Sequence, residues 1–169
     1  MTGSFLAKVV GCLGLMAVTM AIHVVGLVVA LRWVVRSPAL AAARVPRTVW
    51  LMTRVVWILV MLHTLEIAVW AAFYWWRGAL PDLDAAFYFS GVTYTTIGYG
   101  DVVLPDAWRN LGPLEGLTGI LMSGLSTGFF FAVLSRIHWP ELRRGGQAGA
   151  GLPPSVSSIA SATEMWRPK

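Results

Sequence analysis

Three long runs of apolar residues set the pattern of this chain. The first covers Val9–Leu31, 23 residues without a formal charge, which is enough to cross about 30 Å of hydrocarbon as a helix. This run is too long for a signal peptide, and we expect a retained membrane helix. A second run extends from about Val49 to Trp76, and a third, Gly116–Ser135, carries no charge. The pattern predicts three membrane-spanning helices.

A shorter segment, Asp82–Tyr94, lies between the second and third runs. Its 13 residues are too few to cross a bilayer. Gly78 and Pro81 precede it and break the second helix, while Asp82 and Asp84 favour a helix N-terminus at its start. We therefore expect a re-entrant helix whose C-terminal end delivers the chain to residue 95.

The seven residues after that helix form a distinctive motif: Thr95, Thr96, Ile97, Gly98, Tyr99, Gly100 and Asp101. Gly98 and Gly100 alternate with larger residues, and glycine adopts backbone conformations that residues with a Cβ resist. A backbone of this kind can turn several successive carbonyl oxygens inward, where they replace the hydration shell of a cation. The hydroxyl of Thr96 would add one more ring of oxygens below them.

This motif resembles the selectivity filter of the potassium-channel family, whose signature is T-[VI]-G-[YF]-G-D. The resemblance implies an all-α membrane protein with a pore domain over residues 49–139. Its parts are an outer helix over 49–76, a pore helix over 82–94, the filter over 95–101 and an inner helix over 111–138. Outside it we expect an extra transmembrane helix in 1–36, a basic cytoplasmic loop over 37–48 and a disordered cytoplasmic tail over 140–169.

The same resemblance implies that potassium is the permeant ion and binds at Thr96, Ile97, Gly98 and Tyr99. A cage of carbonyl oxygens on an axis needs several copies of the loop, and this chain carries one copy. Closed cyclic symmetry supplies the others, and the family implies four. We expect a homotetramer in lipid that is not an enzyme, uses no cofactor and has no soluble ligand-binding domain.

Two features depart from the family pattern. The best-known members place paired tryptophans beside the filter tyrosine, where this chain has Tyr88 and Phe89. Phe89 cannot donate a hydrogen bond, so we expect a looser cuff, meaning the set of aromatic side chains that surrounds Tyr99. Some bacterial members place a carboxylate partner for the filter aspartate at the position of Val92.

Composition and charge support lipid as the solvent. The chain is 57% hydrophobic and 12% charged, with a mean hydropathy of +0.68, which lies outside the range of soluble domains. The net charge of +5 does not indicate nucleic acid, because the basic residues are scattered between apolar runs. The single cysteine, Cys12, excludes an internal disulfide and fits no metal spacing.

The distribution of basic residues predicts the orientation of the chain in the membrane. With the N-terminus outside, the exterior keeps only Lys8, Arg77 and Arg109 of the 13 basic residues, as the positive-inside rule requires. A surplus of acid then surrounds the pore mouth and concentrates cations there: Asp82, Asp84, Asp101, Asp106 and Glu115. We expect a cytoplasmic C-terminus and a bacterial plasma membrane.

The third apolar helix is predicted to line the lower pore and to end at Pro140. Gly124 and Gly128 share one face and permit close helix contact or a bend. The successive aromatics Phe129, Phe130 and Phe131 suggest a hydrophobic gate, although lipid contact explains them equally well. The candidates for pore lining are Ser123, Gly124, Ser126, Thr127, Gly128, Phe130 and Phe131.

His63 and Glu66 are ionisable residues deep in the second helix. They lie three residues apart and therefore share a face. An unpaired carboxylate at this depth costs about 3 kcal/mol or more, so Glu66 must face protein or take a proton. We expect a structural brace rather than a proton-sensing gate, with partners among Ser90, Thr93, Tyr94 and His23. His23 itself is expected to bond a neighbouring helix rather than to ligate a metal.

Three functions fit these patterns. The favoured one is the pore-forming subunit of a potassium-selective channel. A subunit of a potassium transport system is an alternative. Such proteins resemble this chain in the pore loop, but they carry four divergent copies of it in one chain, whereas this chain carries one. A non-conducting membrane scaffold or sensor that retains the fold is the other alternative.

Overall fold

The protein is represented by a computed structural model that describes the backbone of residues 2–37 and 45–149 and the side chains of 9–37 and 46–136. Four helices occur in these ranges: α1 (Thr2–Arg36), α2 (Val45–Trp76), α3 (Leu83–Tyr94) and α4 (Leu111–Gly149). Residues 38–44 of the predicted basic loop and residues 150–169 of the predicted tail lie outside the described part.

Three of the described helices are long and apolar enough to cross a membrane. The candidate spans are Val9–Arg36, Pro46–Trp76 and Leu111–Arg136, and no strand occurs in the described ranges. The prediction of an all-α membrane protein with three spans and one short helix is confirmed. The first span, Val9–Arg36, is longer than the uncharged run Val9–Leu31 and includes Arg32 and Arg36. These charges are compatible with a spanning helix, because long arginine side chains near a helix end can extend to the membrane interface.

The short helix α3 begins as its sequence predicts. Asp82 has an extended backbone and caps the helix, because its carboxylate accepts a hydrogen bond of 2.8 Å from the amide of Ala85. Asp84 lies in the first turn, where a negative charge complements the helix dipole. The helix ends at Tyr94, where the amide of Thr95 donates to the carbonyl of Gly91 at 3.1 Å.

Helix α4 approaches the C-terminal end of α3 through glycines. A Cβ placed on Gly119 would lie 1.9 Å from the carbonyl oxygen of Tyr94, and one on Gly116 would lie 3.4 Å from that of Thr93. Only a residue without a side chain fits at position 119. By contrast, apart from the adjoining backbone of α4 itself, no described atom lies within 4 Å of such a Cβ at Gly124 or Gly128, so the close contact predicted there is not made within one chain.

The buried core surrounds α3. It joins Trp70 and Tyr74 of α2 to Phe89 of α3 and Met122 of α4, with Cys12 of α1 also buried. The rings of Tyr74 and Phe89 meet edge to face, with centroids 5.4 Å apart. Cys12 thus packs as a small apolar side chain.

Glu115 corrects one prediction about charge. The residue belongs to α4 rather than to an outer loop, its side chain is fully buried, and it accepts a hydrogen bond of 3.0 Å from the hydroxyl of Tyr74. It therefore does not contribute to an acidic ring at the surface. The position of Glu115 near the start of the helix suggested exposure, but the rotation of the helix directs its side chain toward α2.

The end of α4 corrects another prediction. The residues up to Leu134 form one compact unit and those from Ser135 a second, and the helical backbone continues to Gly149. The helix therefore extends past the end predicted at residue 138, while the disordered tail over 140–169 stays a prediction. A proline removes one backbone hydrogen bond and can kink a helix, but it does not by itself end one.

Replacing Gly119 with alanine tests the contact between α3 and α4. The new Cβ would collide with the carbonyl of Tyr94, so the backbone must shift, and we expect Gly119→Ala to cost about 1–3 kcal/mol. The measurement is the thermal unfolding midpoint of the protein in detergent. Gly124→Ala is the matched control on the same helix, and its higher helix propensity should leave the midpoint equal or slightly raised. Equal midpoints for the two variants would contradict the close approach at Gly119.

Candidate ion filter and its support

The backbone of the seven-residue motif alternates in handedness. Gly98 has a φ of 55° and Gly100 a φ of 78°, while Ile97 and Tyr99 between them do not have positive φ. The prediction that these glycines adopt conformations unfavourable to other residues is confirmed. All seven residues are exposed in the single chain.

Thr96 extends the same alternation by one step. Its φ of 62° is a true outlier for a β-branched residue and costs on the order of 1–3 kcal/mol. Sequence reasoning missed this feature, because threonine gives no local signal for a left-handed conformation. Thr95 is not part of this alternation. Its hydroxyl donates a hydrogen bond to the carbonyl of Gly91 at 2.7 Å.

The start of the motif is anchored to the last turn of α3. The amide of Thr96 donates to the carbonyl of Thr93, and the amide of Gly98 donates to the carbonyl of Val92, each at 3.0 Å. Carbonyls in the last turn of a helix lack partners within the helix, so the motif satisfies them. The negative end of the helix dipole therefore lies at the start of the motif, which favours a cation there.

The far end of the motif is tied to α3 by a side chain. The hydroxyl of Tyr88 donates to Asp101 Oδ2 at 2.7 Å. This bond lowers the pKa of the Asp101 carboxyl and raises the pKa of the Tyr88 hydroxyl. The sequence identified Tyr88 as a departure from the family pattern but gave no indication of this bond.

The apolar side chains of the motif have little cover from their own chain. Ile97 is 55% exposed and Tyr99 is 71% exposed. Phe89, expected beside Tyr99, is buried in the core against Tyr74 instead. A single chain therefore builds no cuff around Tyr99.

A ring of five polar side chains lies behind α3 and joins all four helices. Glu66 Oε1 lies 2.7 Å from His23 Nδ1, and Glu66 Oε2 accepts a hydrogen bond from the hydroxyl of Tyr94. That hydroxyl lies 3.0 Å from His63 Nδ1. Ser126 Oγ closes the ring, at 3.0 Å from His63 Nε2 and 3.2 Å from His23 Nε2. We call this set the polar ring.

The polar ring needs one hydrogen for each of its five bonds. Tyr94, Ser126 and two neutral histidines supply four when Glu66 is ionised. A fifth proton, on Glu66 or on a histidine, completes every bond and leaves the ring with no net charge. Five hydrogens therefore allow each member of the ring to bond both of its neighbours.

The contacts in the polar ring can be compared with those predicted for Glu66 and His23. Of the partners proposed for Glu66, the structure brings Tyr94 and His23 to it. His23 bonds a neighbouring helix, as expected. The donor atoms of His23, His63 and Glu66 lie within 4.8 Å of one another, but each histidine already bonds other ring members through both nitrogens. Hydrogen bonds thus account for this cluster without a metal.

The buried face of α4 contradicts one pore-lining prediction. Ser126 is buried within its own chain and bonds both histidines, so it does not line a pore. The other candidates are partly or fully uncovered by their own chain, and Thr127 donates its hydroxyl to the carbonyl of Ser123 at 2.8 Å. Pore lining stays a prediction for Ser123, Gly124, Thr127, Gly128, Phe130 and Phe131.

Comparison with known proteins adds one finding. Residues 62–136 match a family described as Ion channel, which is less than half of the 169 residues. The matched part contains the second half of α2, all of α3, the motif and α4 up to Arg136. No curated protein and no solved structure matches the chain. Together with the three apolar helices, the match indicates a membrane protein with a channel-like domain.

Two substitutions of Glu66 test the polar ring. Glutamine carries one donor group and one acceptor, so Glu66→Gln closes all five bonds with neutral histidines. We expect its thermal midpoint in detergent to equal that of the wild type at neutral pH. Glu66→Leu leaves buried partners unpaired and should cost about 2–5 kcal/mol. A Glu66→Gln variant as unstable as Glu66→Leu would contradict the ring.

Removing the Tyr88 hydroxyl tests its hydrogen bond to Asp101. The folded pKa of Asp101 is lowered, so this bond stabilises the fold at neutral pH and loses its effect as the pH falls through that pKa. We expect Tyr88→Phe to raise the pKa of Asp101, measured by carbon-13 NMR of aspartate-labelled protein in detergent. Tyr74→Phe is the control, because its hydroxyl bonds Glu115 instead. An unchanged Asp101 titration in Tyr88→Phe would exclude the bond.

Proposed function

We propose that the chain is the pore-forming subunit of a potassium-selective channel that conducts passively. The observation that carries the proposal is the alternation of positive φ at Thr96, Gly98 and Gly100 in an exposed segment directly after α3. Alternating handedness is what a backbone needs to present successive carbonyls to one side. The match of residues 62–136 to an ion channel family supports the same function.

In this proposal, potassium binds to oxygens of Thr96, Ile97, Gly98 and Tyr99. The ion is the cargo of the pore, and no covalent step or cofactor takes part. The C-terminal end of α3 adds a favourable field for a cation at the start of the filter. Selectivity comes from replacing the hydration shell of potassium with protein oxygens.

The functional unit is a homotetramer. One chain carries one filter segment, and a cage around an ion requires several. The exposure of Ile97 and Tyr99 supports this assembly, because neighbouring copies would cover side chains that their own chain leaves open. The number four rests on the family resemblance.

The chain lies in a bacterial plasma membrane with its N-terminus outside and its C-terminus in the cytoplasm. This orientation places the end of α1 and the start of α2, with Arg32, Arg36, Arg47 and Arg54, on the inner side, as the positive-inside rule requires. The filter then lies toward the outer side, with Asp101 at the mouth.

The polar ring acts as a brace for the filter. Tyr94 is the last residue of α3, directly before the motif, and its hydroxyl bonds Glu66 of α2 while His23 brings in α1. The extra helix α1 thereby contributes to the support of the filter. The exposed face of α4, with Gly124, Gly128 and Phe131, is the surface available to line the pore.

Replacing Gly98 tests the filter assignment. Alanine resists a φ of 55°, so Gly98→Ala should disturb the carbonyl positions and reduce the preference for potassium over sodium about tenfold or more. The measurement is the reversal potential in planar bilayers with sodium opposite potassium. Gly78→Ala is the matched control, since its φ is 62° and its surroundings are equally open, but it lies outside the motif.

The two variants separate a general effect of backbone strain from an effect on selectivity. We expect Gly78→Ala to lower stability while the reversal potential stays that of the wild type. An unchanged potassium preference in a conducting Gly98→Ala variant would remove the filter assignment. Absence of any current from the wild-type protein would favour the scaffold alternative.

A further inference from the structure

A basic cleft lies where α1 ends and α2 begins. It has a volume of about 710 Å³ and is lined by Trp33, Arg36, Ser37, Pro46, Arg47, Trp50 and Arg54. Three of these residues are arginines and two are tryptophans, and none is acidic. Tryptophan is the residue expected at the headgroup level of a bilayer, so the cleft lies at the depth of lipid phosphates.

Arg54 is held in place by an aromatic ring. Its guanidinium carbon lies 3.8 Å from the centroid of the Trp50 ring and 6.0 Å from that of Trp33. Stacking uses the flat face of the guanidinium and leaves its in-plane N–H donors free to bind an anion bidentately. Among the described residues, no carboxylate pairs with Arg36, Arg47 or Arg54.

An apolar groove continues from the basic cleft toward the middle of the membrane. The two share Trp33 and Arg54, and the groove also has a volume of about 710 Å³. Its other lining residues are Gly26, Val29, Ala30, Trp57, Ile58, Met61, Leu62 and Leu65. From Arg54 to Leu65 the helix rises roughly 16 Å, which is about half of a 30 Å hydrocarbon core. The groove therefore has the length of one leaflet.

We propose that this composite surface binds one anionic phospholipid. The phosphate group lies among Arg36, Arg47 and Arg54, and one acyl chain occupies the groove between α1 and α2. A soluble phosphate compound would satisfy the arginines but would leave the groove uncovered. The continuity of the cleft with the groove is what identifies a lipid as the occupant.

The charge of the headgroup decides which lipid binds. An acyl chain gains little on entering the groove, because it leaves a bilayer that is equally apolar. Arginine, by contrast, recognises phosphate oxygens in two parallel hydrogen bonds, and a net positive cleft rejects a headgroup that also carries a positive amine. We therefore expect selection of phosphatidylglycerol over phosphatidylcholine. The inference concerns α1 and α2 and does not rest on the filter assignment.

The experiment measures lipid retention by the full-length protein. Protein purified in detergent is mixed with phosphatidylglycerol or phosphatidylcholine, and native mass spectrometry counts the lipids that remain bound. We expect phosphatidylglycerol to bind about tenfold more tightly or better. Excess glycerol 3-phosphate should not displace it. Equal retention of the two lipids, or full displacement by glycerol 3-phosphate, would overturn the proposal.

Variants locate the site. The double variant Arg47→Gln with Arg54→Gln should lose the preference for phosphatidylglycerol. Arg77→Gln is the matched control, because Arg77 also lies over tryptophan rings but at the opposite end of α2. If Arg77→Gln reduces the preference as much as the double variant does, the lipid binds by general surface charge and the proposal is wrong.

A second variant keeps the proposal testable if the double variant fails to fold. Val29→Trp fills the groove while all the arginines stay in place, and we expect it to weaken phosphatidylglycerol binding about tenfold. Val28→Trp is its control, because Val28 is exposed but does not line the groove. Unchanged binding in Val29→Trp would show that the groove holds no acyl chain. Blocking of the groove by a second copy of the chain, seen as lipid-free oligomers, would also overturn the proposal.

Discussion

The buried carboxylate of Glu66 imposes the central constraint on this structure. The side chain has no exposed surface, and at membrane depth an unpaired charge or an unsatisfied oxygen is expensive. Its two oxygens therefore need hydrogen-bond partners, and they find His23 of α1 and Tyr94 of α3. One residue thus fixes where three helices meet. Apolar packing alone does not fix such a point, because lipid and side chains are equally apolar.

The position of Tyr94 links this constraint to the filter. Its hydroxyl belongs to the polar ring, while its carbonyl faces Gly119 of α4 at a distance that excludes any side chain. The end of α3 is therefore held from two directions, by hydrogen bonds behind it and by a close helix contact beside it. The filter begins at the next residue, and its first amides bond the last carbonyls of the same helix. We therefore expect changes in the ring or at Gly119 to displace the candidate filter as well.

The apolar runs predicted the helices well, but they did not predict how each helix is rotated. In a soluble protein an apolar stripe marks the buried face, whereas in a membrane both faces of a helix are apolar. This ambiguity explains why the sequence predicts pore lining for Ser126 and surface exposure for Glu115, although both side chains are buried within the chain. The left-handed conformation of Thr96 could not be predicted either, because the preceding helix and the motif impose it rather than threonine itself. The cap at Asp82 depends only on local sequence, and it was predicted correctly.

The exposure of the candidate filter gives a physical reason for the proposed assembly that is independent of family resemblance. Val25 of α1 and Val60 of α2 are exposed in one chain, and lipid would satisfy them at no cost. The filter backbone differs, because its polar groups have no regular ladder of hydrogen bonds. Irregular backbone at membrane depth is tolerated only where protein covers it or water reaches it. A single chain in lipid provides neither for residues 97–100, whereas the proposed assembly would supply both, with further copies around an aqueous axis.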